Sequence, residues 1–121
     1  MRVLYVDDEP DIREIAQIAL ELDEGMITET AASGPEAIEK AAAWRPDVIL
    51  LDVMMPDMDG PTTLAALRAR EDTRSIPVIF ITARTQTNEV ESFRALGAVA
   101  VIPKPFDPML LATQVRAASV P

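Results

Sequence analysis

At 121 residues, with 11 Lys and Arg against 20 Asp and Glu for a formal net charge of −9, the chain fits a single domain (1–121) and is poorly suited to binding a nucleic acid. The absence of both cysteine and histidine excludes disulfides, thiolate nucleophiles, zinc sites of the usual kind and any Ser/His/Asp triad. The apolar runs are strand-sized, with no signal core and no membrane span, which makes a cytoplasmic protein the simplest expectation.

Five units follow one another, each a strand-like run and then a stretch of helical spacing, the mark of an α/β fold on a parallel sheet. Val3-Leu4-Tyr5-Val6 is the first strand. A helix starts near Pro10, whose fixed φ suits a first helical position, and Ile12, Ile15, Ala16, Ala19 and Leu22 form its apolar stripe. Gly25 allows the next turn. Residues 26–31 have the half-polar composition of an edge strand. Ser33-Gly34-Pro35-Glu36 is a capping-box pattern opening a second helix through about Trp44, which covers its end, and Pro46 closes it. Val48-Ile49-Leu50-Leu51 is the third strand, and Asp59-Gly60-Pro61 turns the chain into a helix carrying Leu64 and Leu67. Pro77 restarts it as Val78-Ile79-Phe80-Ile81. Residues 87–96 form a fourth helix closed by Gly97. Val99-Ala100-Val101-Ile102 is the fifth strand, and Asp107-Pro108 caps and starts a fifth helix with Leu111 and Val115 inward.

Four of these strands end in polar tips: Asp7-Asp8, Asp52, Thr82 and, just past the fifth, Lys104. In an open parallel sheet such groups gather beyond the carboxyl ends of the strands. Three carboxylates in one cleft repel one another unless a divalent cation relieves them, so Asp7, Asp8 and Asp52 predict a magnesium site. Asp52 stands singly at a strand tip and is the candidate nucleophile for a phosphoryl group, with Lys104 as cation and Thr82 as hydroxyl donor to the transferred group. Lys104-Pro105 invites a cis peptide that would aim the lysine inward.

Val6-Asp7-Asp8-Glu9, Leu51-Asp52-Val53-Met54-Met55-Pro56 with Asp59-Gly60, Ile81-Thr82-Ala83 and Pro103-Lys104-Pro105-Phe106, taken in this order, resemble the receiver domain of two-component response regulators, in its single-domain form. The resemblance implies a flavodoxin-like, doubly wound (βα)5 sandwich with strand order 2-1-3-4-5. It also implies that Asp52 is the phosphoacceptor, taking its group from a phosphohistidine on a sensor histidine kinase or a histidine phosphotransfer protein. Magnesium would sit on Asp7, Asp8, Asp52 and the Met54 backbone carbonyl. Lys104, Thr82 and the Ala83 backbone would contact the phosphoryl oxygens, and Thr82 would act as the switch. The module would promote its own phosphorylation and slow hydrolysis without being an enzyme for other molecules. Its output would be a changed surface for a downstream protein or a second copy, on the face of the fourth helix, fifth strand and fifth helix.

One departure stands out: Val101 occupies the position where the family commonly has an aromatic partner for the threonine, so the usual coupling is in question. Two positions that the family uses to tune phosphoryl lifetime hold Met54 and Arg84. Blander readings exist for each residue alone: Asp7-Asp8 as a helix cap, Lys104 as a surface lysine, the methionines as packing. A calcium loop at Asp57-Met58-Asp59-Gly60 lacks the acids it would need at Met55 and Ala66. No Gly-rich loop follows the first strand to cradle a nucleotide. Two alternatives remain open, a receiver-fold scaffold acting without phosphorylation and a phosphatase with an Asp nucleophile, the latter lacking a second acid at Met54.

Overall fold

The computed structural model describes residues 1–119, so the last two residues of the expected 1–121 domain lie outside the description. Five parallel strands, β1 (Arg2–Val6), β2 (Ile27–Ala31), β3 (Val48–Asp52), β4 (Val78–Thr82) and β5 (Ala100–Pro103), alternate with α1 (Pro10–Glu21), α2 (Gly34–Trp44), α3 (Gly60–Ala69), α4 (Thr87–Ala95) and α5 (Leu111–Ser119). The sheet order is β2-β1-β3-β4-β5, as the resemblance implied. Every residue of β3 and β4 is buried, which explains why their sequences are unbroken apolar runs rather than alternating ones.

Alternation across the pleat divides the core into two layers. Leu4, Val6, Ile49, Leu51, Val78 and Phe80 pack toward α2, α3 and α4, with Phe80 meeting Phe93 edge-on at 5.2 Å between centroids. Val3, Tyr5, Leu50, Ile79 and Ile81 pack toward α1 and α5, where Leu111 and Val115 are fully buried as expected. Each such side chain is worth about 1.5–3 kcal/mol when removed from water.

The apolar stripe of α1 differs from the expected one. Ala16, Ala19 and Leu20 face the sheet, whereas Ile15 and Leu22 are 45% and 60% exposed. Ala16 and Ala19 are as expected, and Leu20 in place of Ile15 and Leu22 completes the buried face. Gly25 has no positive φ; its value is room, because a Cβ there would meet the Arg116 guanidinium at 2.5 Å. Ser33 caps α2 by accepting from the Glu36 N–H, and Glu36 accepts in turn from the Ala32 N–H at 2.6 Å. The helix ends at Arg45, in the left-handed region at φ 53°, one residue ahead of Pro46. Trp44 packs partly into the core with the Arg2 guanidinium 5.6 Å over its ring.

At the far edge β5 starts one residue later than expected, with Val99 exposed and Pro103 inside the strand. Asp107-Pro108 makes a turn rather than the first turn of α5: the Asp107 side chain accepts from the Met109 N–H at 2.9 Å, and the helix begins at Leu111. At the floor of the sheet, opposite the polar tips, the Met1 ammonium donates to the Gly25 carbonyl at 2.6 Å, and Ser119 Oγ lies 3.9 Å from Met1 Sδ. Among the described residues no helix is long and apolar enough to cross a membrane.

Candidate functional site

Strand direction alone collects the polar tips. All five strands run the same way, so residues 7, 52, 82 and 104 leave the sheet at one edge, in order across β1, β3, β4 and β5. Register then fixes the neighbours: Val6 pairs with Leu51, Asp52 with Ile81 and Thr82 with Pro103. The Lys104 N–H donates to the Thr82 carbonyl at 2.9 Å, and the Lys104–Pro105 peptide is cis, as its sequence invited.

Asp7 is fully buried, Asp52 is 4% exposed, Thr82 is 2% exposed and Asp8 stands half-buried at the rim. One carboxylate oxygen from each of Asp7, Asp8 and Asp52 lies within 4.8 Å of the others. The Lys104 ammonium bridges two of them, donating to Asp7 Oδ2 at 3.1 Å and to Asp52 Oδ2 at 3.4 Å. Burial pushes the Asp52 carboxyl up to about 6, and the neighbouring Asp7 charge adds to the rise, while Lys104 and the Met54 N–H pull it back. For Lys104, partial burial favours the neutral amine, but the Asp7 hydrogen bond and the Asp52 and Asp7 charges outweigh it and hold the ammonium above its usual range.

Backbone donors shape the floor of the pocket. The Glu9 N–H binds Asp7 Oδ1 at 2.9 Å, and the Arg13 guanidinium ties down the Asp7 carbonyl at 2.7 Å. Thr82 Oγ accepts from the Arg84 N–H at 3.0 Å, at the start of an exposed loop that includes Ala83. Met54 is 62% exposed beside the acceptor loop, while Met55 packs into the core. Val101 is half-buried against the α2–α4 layer.

Two roles in this neighbourhood were not read from the sequence, one at Gly60, taken there only as a turn residue, and one at Tyr5, taken only as a strand residue. Gly60 opens α3 against the back of Asp52: a Cβ there would lie 2.6 Å from the Asp52 carbonyl oxygen and 2.8 Å from Val53 Cα. Tyr5 donates from its hydroxyl to Asp7 Oδ2 at 3.3 Å, and the signal for it was present, because residues two apart on a strand share a face.

The oxygen cluster suits a small divalent cation. Three carboxylates that each offer an oxygen within 4.8 Å of the others form the kind of hard-oxygen set that divalent cations take. The acid cluster could therefore hold a metal ion.

The comparisons with known proteins agree with this geometry. The family model "Response regulator receiver domain" matches residues 3–116. This chain belongs to the response regulator receiver family. It is 38% identical over 115 residues to the transcriptional regulatory protein CseB of Streptomyces coelicolor, covering 95% of this chain and 47% of that protein. To the DNA-binding response regulator MtrA of Mycolicibacterium smegmatis it is 37% identical over 116 residues, covering 96% of this chain and 49% of the relative. The receiver thus spans about half the length of the curated relatives it matches. Its fold superposes on the chemotaxis response regulator CheY4 of Vibrio cholerae with a TM-score of 0.88 at 36% identity, over 97% of both chains. The receiver is a phosphoacceptor signalling module of the two-component class.

Proposed function

We propose that Asp52 is the residue that accepts the phosphoryl group, and that its donor is a phosphohistidine on a sensor histidine kinase or a histidine phosphotransfer protein. The observation that carries this reading is the Lys104 ammonium spanning Asp7 and Asp52 at the tip of the central strand. An Asp52 oxygen attacks phosphorus, the P–N bond to the donor imidazole breaks, and an acyl phosphate remains on Asp52. These 121 residues hold no histidine, so the donor imidazole lies outside them.

Asp7, Asp8, Asp52 and the Met54 backbone carbonyl are the groups that would hold magnesium. When bound, the cation neutralises charge on the phosphoryl oxygens. Lys104 supplies a second positive charge to the transferred group, and Thr82 and the Ala83 N–H supply hydrogen bonds. Thr82 must turn to do so, which strains or breaks its bond to the Arg84 N–H and loosens the loop leading into α4. Val101 leaves no aromatic ring to follow that movement, so the signal passes through the loop and α4.

The module acts through its surface rather than by turnover of a substrate. A protein partner or a second copy on the face of α4, β5 and α5 is the output, in a cytoplasmic setting. Its net charge of −9 supports a protein target over nucleic acid. Incubation with magnesium and acetyl phosphate should add one phosphoryl mass to the intact protein, and Asp52→Asn should abolish it. A stable adduct on that variant would overturn the acceptor assignment.

A further inference from the structure

Tyr5 is the single tyrosine of the chain and is 1% exposed. Its ring meets Phe106 edge-on, with centroids 6.3 Å apart at an interplanar angle of 70°. Its hydroxyl has Asp7 Oδ2 as its acceptor at 3.3 Å. The same oxygen takes the Lys104 ammonium at 3.1 Å, while Oδ1 takes the Glu9 N–H at 2.9 Å. Three donors of different kinds therefore fix the orientation of a fully buried carboxylate.

These donors differ in what the phosphorylation chemistry does to them. The backbone N–H stays where the chain puts it. Lys104 is shared with Asp52 at 3.4 Å and turns toward the phosphoryl group when one arrives. Asp7, fully buried, would then lose one of the two side-chain donors on Oδ2, and a buried carboxylate oxygen left short of donors is costly. The phenol is the donor already in place to keep it.

We propose that Tyr5 is a positioning residue for the acidic pocket, holding the Asp7 carboxylate in ligand geometry for a divalent cation when Lys104 swings to the phosphoryl group. The inference rests on the reading of Asp7 as a metal-holding group. A separation of 3.3 Å is long for O–H···O because the acceptor oxygen is shared with the ammonium; once Lys104 leaves, the bond shortens. Hydrogen-bond partners of metal-ligating carboxylates act in this way, orienting the ligand without touching the ion. A tyrosine that merely fills space would give the same metal affinity when replaced by phenylalanine.

Tyr5→Phe keeps the ring and its contact with Phe106 and removes the hydroxyl alone. Calorimetric titration with magnesium chloride in the presence of a fluoroberyllate phosphoryl mimic should show binding weakened about tenfold relative to wild type. The magnesium concentration that half-saturates phosphorylation by acetyl phosphate should rise by a similar factor, with the loss carried there more than in the limiting rate. Equal magnesium affinity in the two proteins would overturn the inference. Failure of the wild type itself to bind magnesium would overturn the reading of the pocket, a result distinguishable from the first. A second measurement needs no variant: the phenolic proton of the single tyrosine, followed by NMR in wild type, should move downfield when magnesium and a fluoroberyllate phosphoryl mimic are added. An unmoved resonance would also overturn it.

Discussion

Asp52 carries its charge against its surroundings: it is nearly buried, faces Asp7, and is offset by one ammonium. Its carboxyl, raised to about 6, binds a proton more tightly folded than unfolded. The contribution of this group to stability is therefore present below about pH 4 and is lost as pH rises through about 6. Asp52→Asn should stabilise the metal-free receiver at pH 7 by on the order of 2 kcal/mol, a gain that thermal melts should show disappearing near pH 4. A lower melting temperature for the variant at pH 7 would contradict this account. Gly60 supports the same residue from behind, and the atoms a Cβ would strike are backbone and cannot swing aside. Gly60→Ala should cost about 1–3 kcal/mol in denaturant titrations and slow phosphorylation of Asp52, since the α3 start must back away from it. The acids, Thr82 and Lys104 were legible because strand direction is written in the sequence. The need at Gly60 was not, because it is set by a contact with residues 52 and 53 that only the folded loop creates.

Among the elements, those with strong local signals formed where the sequence placed them. Ser33, Asp59 and the prolines at first helical positions mark the starts of α1, α2 and α3. Ser33→Ala should cost about 1 kcal/mol, measurable by chemical denaturation. Misreadings arose where two local rules compete. In α1 the expected stripe placed Ala16 and Ala19 correctly, but Leu20 rather than Ile15 or Leu22 supplies the bulky side chain on the inner face, because the helical period admits neighbouring apolar positions on either flank of the stripe. At the start of α5, Pro108 satisfies helix and turn equally, and the Asp107 bond to the Met109 N–H decides for the turn. α4 contributes no fully buried residue; Phe93 against Phe80 is its main anchor, consistent with the element that a signal could displace.

For the molecule as a whole, alternation of strand and helix announced a parallel sheet, but strand order came from family resemblance, since periodicity within elements says nothing about which strands are neighbours. Magnesium couples the site to the entire fold through mass action, because the cluster of three acids exists only in the folded state. At a hundred times its dissociation constant the cation should add about 2.7 kcal/mol, raising the melting temperature, and a chelator should reverse the gain. Asp52→Asn should show a smaller rise, having one fewer carboxylate to offer.

Met1 and Ser119 meet at the base of the sheet, a full strand length from the acids. A donor that approaches the acids therefore meets neither residue, and the Met1–Ser119 contact lies clear of the loading side.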